Sequence, residues 1–442
     1  MVFNSFEFIG FITVVCFITF LLNAKNWIKA RNIFLLLVSW GFYGSFGWKF
    51  LSLLGIITII NYCTPILIET YSSKKKLILI MCILFSVGVL AFMKYAYIWN
   101  ASILLPVGLS FFTFQALSYS IDTFRGKISV NHNFVNVALF ISFLPTITSG
   151  PIERATNLFP QLDKKNIIDY NIIWSGIKLF IWGLFKKVVI ADRLSLYIND
   201  VYTFPLSHTG STLALTAVLY SIQIYCDFSG YADMAVGVGR VLGFKIMENF
   251  KFPYFSTSIK SFWKKWHISL TSWFTEYVYI TLGGNRVVKW RWMLNILIVF
   301  ILSGIWHGAT IAFLIWGLMH GIAYLIEHFM GIKKGNIAYG FLCFIIISIA
   351  WIYFRIDNFT TASNIVSKIF TDFGSPLYMS INGSAFSFFL TMAVLLVFMI
   401  REYLTYKAKA RYQFMVDIEA SFLLILIAFL GISSNSFVYF QF

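Results

Sequence analysis

Residues 293–326 read MLNILIVF ILSGIWHGAT IAFLIWGLMH GIAYLI, a run without a single Asp, Glu, Lys or Arg. Two histidines stand inside it. His307 lies in Ser303-Gly304-Ile305-Trp306-His307-Gly308-Ala309, and His320 in Trp316-Gly317-Leu318-Met319-His320-Gly321. An ionisable side chain in a hydrocarbon-like setting is costly and, where it occurs, faces an interior cavity or pathway. Histidine exchanges protons near neutral pH, so the run reads as membrane-embedded chain built around chemistry or transport. As one helix it would be about 51 Å long at 1.5 Å per residue, against a hydrocarbon core of about 30 Å. A break is therefore expected near Gly304, Gly308 and Ala309, which puts His307 at a helix end. Gly304 and Gly308 are spaced i, i+4, as are Gly317 and Gly321, the small-xxx-small spacing that lets helices approach closely.

The rest of the chain agrees with a membrane protein. It has 442 residues, 59% hydrophobic and 12% charged, with mean hydropathy +0.79; ordinary soluble domains carry about 25% charge. Apolar stretches of spanning character recur near Phe6–Leu22, Asn32–Phe46, Phe50–Ile68, Leu77–Phe92, Phe134–Ile147, Ile172–Leu184 and Thr212–Ile224. Met293–Ile326, Ile337–Phe354, Ala385–Ile400 and Ser421–Ile432 follow. The expected fold is all-α and polytopic, one integral-membrane domain over residues 1–442 with roughly 10–12 spans and further re-entrant or interfacial helices. Phe6–Leu22 lacks a basic n-region and a small-residue cleavage site, and reads as a retained first span.

The net charge of +16 does not point to nucleic acid. Basic residues cluster between apolar runs, at Lys25, Lys29 and Arg31, at Lys74, Lys75 and Lys76, and at Lys186, Lys187 and Arg193. That is the positive-inside pattern of short cytoplasmic loops, and with the first two clusters inside, the N-terminus lies outside. Lys407–Arg411 reads as another such loop. The five cysteines, Cys16, Cys63, Cys82, Cys226 and Cys343, have no paired spacing and read as small core residues without disulfides.

Three regions depart from simple spans. In Leu104–Gly126, Pro106 and Gly108 weigh against a helix from start to finish. Pro145–Arg154 is a turn-rich break. Tyr225–Arg286 holds most of the polar information, including Asp227, Asp233, Asn249-Phe250-Lys251-Phe252-Pro253-Tyr254, Trp263-Lys264-Lys265-Trp266-His267 and the turn Gly283-Gly284-Asn285. Its interleaved Trp, Tyr and Lys suit short interfacial or re-entrant helices.

Each candidate has a bland reading beside the functional one. His307 is a buried general base or a hydrogen-bonding link between helices. His267 is a catalytic partner or an interfacial histidine at headgroup level. His320, beside two glycines, fits helix packing better than base chemistry. Asp227 is a functional carboxylate or an interfacial one paired with a nearby cation such as Arg240. A metal site built from His267, His307 and His320 is disfavoured, because their spacings match no compact zinc motif. Positions 307 and 320 also lie about 220° apart around a helix. Nucleophile-elbow, phosphate-loop and dinucleotide motifs are absent.

Taken in order, these motifs resemble the membrane-bound O-acyltransferase family, in its bacterial branch of alginate O-acetylation-like proteins. The segments that carry the resemblance are Asp227–Asp233, Phe262–Leu270 with Trp-His-Ile-Ser-Leu, Tyr279–Arg286, Ser303–Ala309 and Trp316–Gly321. The start, Met1-Val2-Phe3-Asn4-Ser5, and the end, Phe437-Val438-Tyr439-Phe440-Gln441-Phe442, look like that branch too. The resemblance implies a multi-helix bundle around a tunnel, with His307 as the catalytic histidine and His267 as a second polar position. It further implies Trp306, Gly304, His320, Asp227, Asn285 and Arg286 as lining residues, and no metal.

The implied reaction is O-acyl transfer (EC 2.3.1.-). His307 would take the proton of a hydroxyl as it attacks an acyl thioester. His267 would orient His307 or the substrate, or donate to the oxyanion; a covalent acyl-histidine is the competing route. No bound cofactor is expected, and the donor is acetyl-coenzyme A or another acyl thioester on the cytoplasmic side. The implied partners are membrane lipid, an exported polysaccharide acceptor and an extracytoplasmic acyltransferase or esterase-like protein, at the bacterial cytoplasmic (inner) membrane. D-alanyl transfer to teichoic acid and acetylation of peptidoglycan stay open. The rival classes are a transporter or flippase for a lipid-linked saccharide and a non-catalytic membrane scaffold.

Overall fold

The break in residues 293–326 falls where the glycines put it. In a computed structural model describing residues 3–96, 105–167, 169–331, 335–373, 378, 385–408 and 417–432, one helix ends at His307 and the next begins at Ile311. Gly308 is in extended conformation, and its amide bonds back to the carbonyl of Gly304. That bond is the last of the first helix, and the extended Gly308 turns the chain away from its axis before Ile311.

Among the described residues there is no strand, only helices joined by turns and irregular segments. In chain order they are α1 (Phe6–Ala24), α2 (Ile28–Gly44), α3 (Trp48–Thr70), α4 (Lys75–Tyr95), α5 (Leu109–Phe124), α6 (Phe134–Ser142), α7 (Ala155–Leu162), α8 (Tyr170–Phe185) and α9 (Asp192–Thr203). Then come α10 (Gly210–Val241), α11 (Ile259–Trp263), α12 (Ile268–Trp273), α13 (Lys289–His307), α14 (Ile311–Met330), α15 (Ile337–Arg355), α16 (Phe359–Thr371), α17 (Ala385–Lys407) and α18 (Asp417–Leu430). Wider π-type turns occupy Lys186–Ala191 and Phe274–Tyr279.

Among the described residues, seven helices are long and apolar enough to cross a membrane: Phe6–Ala24, Trp48–Thr70, Ser72–Tyr95, Lys289–His307, Ile311–Met330, Ile337–Arg355 and Phe386–Lys407. Several other apolar runs are helical but shorter, such as Phe134–Ser142 with 9 residues and Asp417–Leu430 with 14. At 1.5 Å per residue these fall well short of the ~30 Å core. Large apolar side chains stand on the outer surface of the long helices, among them Phe17 on α1, Leu84 on α4, Phe341 on α15 and Leu396 on α17. A helix presents such a surface when its solvent on that side is lipid.

The chain divides into two compact units, Met1–Ile181 with Tyr231–Glu248, and Trp182–Gly230 with Asn249–Phe442. In the first, Arg31 is fully buried on α2 and donates to the carbonyls of Gln161, Leu162 and Lys164. It is therefore an internal tie rather than a loop cation. Gly108 has φ +73, and a Cβ there would strike the backbone of Ile147 and Thr148. Helix α5 starts only after it, as Pro106 and Gly108 predict, and the Pro145–Arg154 break is irregular backbone, buried as far as Glu153.

The second unit contains every residue singled out above for chemistry. Its α13–α14 hairpin is closed by Gly304 and Gly317: each Cα lies within 3.6 Å of where a Cβ on the other would stand. One glycine from each i, i+4 pair makes this contact, whereas Gly308 lies under the ring of Phe313. Lys186 and Lys187 are also buried here, in the π-turn after α8, and not in a short surface loop. Of the cysteines, Cys82, Cys226 and Cys343 are buried, while Cys63 is exposed and Cys16 half-buried. The terminal motifs at Met1-Val2 and Phe437–Phe442, and Lys409–Arg411 of the basic stretch, lie outside the described residues.

Candidate active site

His307 is the last residue of α13, delivered to the break by the Gly304–Gly317 contact one turn earlier. It is only 3% exposed. Four aromatic rings surround the imidazole, with centroids at 4.4 Å for Trp306, 4.8 Å for Phe354, 5.1 Å for Trp316 and 6.3 Å for Phe313. Helices α13, α14 and α15 thus contribute one wall each. A ring so enclosed lies in a water-poor medium, where electrostatic effects are strengthened.

His267 sits in the turn between α11 and α12 with φ +44, a left-handed conformation that a residue with a Cβ adopts at a cost. The surroundings hold it there. The Ile268 amide bonds to the Asn249 carbonyl at 2.9 Å and the Lys251 amide to the Lys265 carbonyl at 3.0 Å, tying the turn to residues 249–251. Upstream, Ser258 caps α11, and the Glu327 carboxylate of α14 accepts the amides of Ile259 and Lys260.

The His267 side chain is 1% exposed. Its Nδ1 lies 3.1 Å from Asn249 Oδ1, which also accepts the Ser269 amide at 3.1 Å and the Ser269 hydroxyl at 3.0 Å. Phe228 meets the ring edge-on at 4.6 Å, and Trp306 lies 6.4 Å away. Burial pushes this imidazole well below its ordinary value, so the ring is neutral at physiological pH. His267 is thus a buried residue in a fixed turn, not one in contact with headgroups. Trp306 is in ring contact with both His267 and His307, which brings three of the residues expected from sequence into one cluster.

His320 is fully buried among Trp263 at 4.9 Å, Trp316 at 5.1 Å and Trp351 at 6.2 Å, with Phe300 and Phe262 beyond. Among the described residues neither ring nitrogen has a hydrogen-bond partner. Trp316 touches both His320 and His307, so His320 belongs to the same aromatic core one layer away.

The remaining candidates serve elsewhere. Asp227 is buried and paired with Lys187 at 2.7 Å, and Lys187 also meets Asp192 at 2.8 Å. Its cation is Lys187 rather than a residue such as Arg240, and it is an internal carboxylate rather than an interfacial one. Gly230 makes this possible: a Cβ there would stand 2.7 Å from the Gly183 carbonyl and 3.2 Å from the Lys187 amide. The bare backbone lets α10 lie against the π-turn. Asn285 and Arg286 are exposed on the turn after Gly283 and Gly284, both at positive φ, and the structure does not bring them to the histidines. Gly304 acts through helix packing. Asn249, which the sequence placed in a polar segment without a role, lies 18 positions from the histidine it meets, with no local spacing to mark it.

Comparison with known proteins places this cluster in context. Residues 35–353 match the model of the MBOAT, membrane-bound O-acyltransferase, family. The probable alginate O-acetylase AlgI of Pseudomonas aeruginosa is 34% identical over 396 residues, covering 84% of this chain and 75% of that protein. The peptidoglycan O-acetyltransferase of Helicobacter pylori is 32% identical over 410 residues, 81% of this chain and 76% of its own. The teichoic acid D-alanyltransferase of Bacillus subtilis is 31% identical over 254 residues, 53% of this chain and 62% of its own.

Proposed function

Because the chain belongs to the membrane-bound O-acyltransferase family, we propose that it moves an acetyl group from a thioester to hydroxyls of an exported or cell-surface polysaccharide, with His307 as general base. That it is a multi-pass membrane O-acyltransferase follows from the family and the named relatives. Acetyl is favoured over D-alanyl because the acetyl-transferring relatives match over four-fifths of the chain, and the D-alanyl-transferring one over about half.

One observation carries the assignment of the base: His307 closes α13 inside an aromatic cage whose Trp306 also contacts His267. In the reaction the acceptor oxygen attacks the acyl carbon, a C–O bond forms and the C–S bond breaks. The hydroxyl proton passes to a ring nitrogen of His307 and from there to the departing thiolate, so no proton is gained or lost overall. The donor, acetyl-coenzyme A or another acyl thioester, would be supplied from the cytoplasmic side of the bacterial inner membrane. An extracytoplasmic acyltransferase or esterase-like partner would receive or direct the group toward the polysaccharide.

The test is reconstitution of the purified protein in liposomes with labelled acetyl thioester and an oligosaccharide acceptor. Label reaching the acceptor, and lost in His307→Ala, supports the reading. Saccharide movement across the bilayer without acyl transfer would make the protein a transporter. Neither activity would make it a scaffold.

A further inference from the structure

The amide oxygen of Asn249 fixes which nitrogen of His267 carries hydrogen. The Ser269 backbone N–H, 3.1 Å away, can only donate. The atom facing it is therefore the oxygen of the Asn249 amide, not its NH₂, and that end of the side chain is an acceptor. His267 Nδ1 faces the same oxygen at 3.1 Å, and an oxygen without hydrogen can satisfy it only by accepting. Nδ1 must then carry the proton. In a neutral imidazole the other nitrogen, Nε2, is left with a lone pair.

We propose that Asn249 is a positioning residue that locks His267 in the Nδ1–H tautomer, so that its Nε2 accepts a hydrogen bond from a neighbouring hydroxyl of the acceptor and cannot donate one to the oxyanion. This rests on the acyltransferase reading for the identity of the partner, but the tautomer follows from the hydrogen bonds alone. It separates the two roles open to His267 in the sequence. A neutral ring held this way orients the acceptor through a hydroxyl other than the one that reacts, whose proton leaves to His307.

Three features converge on holding the ring. The left-handed φ of +44 at His267 sets the direction of its side chain, the backbone bonds from Ile268 and Lys251 tie both flanks to residues 249–251, and Phe228 closes one side at 4.6 Å. Supporting partners of this kind, which set the tautomer of a working histidine, typically carry about 10–100-fold of its performance.

The decisive measurement is nitrogen-15 NMR of the full chain, labelled at histidine and reconstituted in lipid nanodiscs. The His267 signals are identified by their loss in His267→Gln. A protonated Nδ1 and an unprotonated Nε2 are expected in the parent protein. Asn249→Leu, which keeps the size and removes the acceptor, is expected to abolish that preference. It should lower kcat about 10²-fold with KM for the thioester little changed. Asn249→Asp, which can still accept all three donors, should keep the tautomer and restore most of kcat. A proton found on Nε2 in the parent protein overturns the proposal, and so does an Asn249→Leu protein with the parent tautomer and kcat. If the parent protein shows no acyl transfer, the acyltransferase reading fails while the spectrum still decides the tautomer.

Discussion

Gly304 and Gly317 bring α13 and α14 so close that a Cβ on Gly304 would strike the carbonyl of Phe313, and one on Gly317 the carbonyl of Phe300. The hairpin that delivers His307 is thus built on the absence of two side chains. Membrane helices gain little hydrophobic drive from meeting one another and rely on such close packing.

Gly304→Ala should force the hairpin apart, at about 1–3 kcal/mol for overpacking a tight contact. A lower thermal midpoint in detergent and reduced transfer are expected together, since His307 lies one turn further on. Gly55→Ala on α3, where a Cβ meets nothing within 4 Å, is the control and should be neutral or slightly stabilising. Equal melting of both variants would remove the packing argument.

His307→Ala should lower acyl transfer by about 10²–10⁴-fold without changing membrane insertion or melting by much. Turnover with labelled thioester measures it. Residual activity within tenfold of the parent would assign the base to another residue.

His320→Phe tests the supporting role of the second histidine. Neither ring nitrogen has a partner among the described residues, so the change removes no hydrogen bond there and adds only volume, costing about 1–3 kcal/mol of stability. Transfer should stay readily measurable in the folded protein. A folded but inactive variant would promote His320 from packing to chemistry.

Lys187→Met should be severe. It removes the cation that the buried Asp192 and Asp227 share, and breaking a buried pair by removing one partner costs about 3–5 kcal/mol. Adding Asp192→Asn and Asp227→Asn should recover much of the loss, because the triple variant no longer buries those two carboxylates. Thermal unfolding of the three forms measures this. Full stability with inactivity in the triple variant would instead give Asp227 a direct role in the reaction.

The membrane class, the interruption of residues 293–326 and the placing of His307 at a helix end were all legible in the sequence. Each depends on a property local to the chain: an unbroken apolar run, a length exceeding the bilayer, and glycines at the point of excess. The same local logic misled where a residue's fate depends on distant chain. Lys187 looked like a loop cation because it follows an apolar run, yet it is neutralised by Asp227, 40 positions on (187 to 227). Asn285 and Arg286 stand in a segment carrying the family resemblance, yet they face outward.

From the sequence alone came the solvent in which this protein folds and the position of His307 at a helix end, because hydropathy and helix length act over one or two turns. Only the tertiary structure decided what surrounds that histidine. Trp306 is shared between His307 and His267, and Asn249 sets the tautomer of His267 from 18 residues away. No periodicity encodes such pairings. They arise when the packed helices and the turn at residues 265–269 bring side chains to between 3.0 and 6.4 Å of one another, and that path depends on the whole unit.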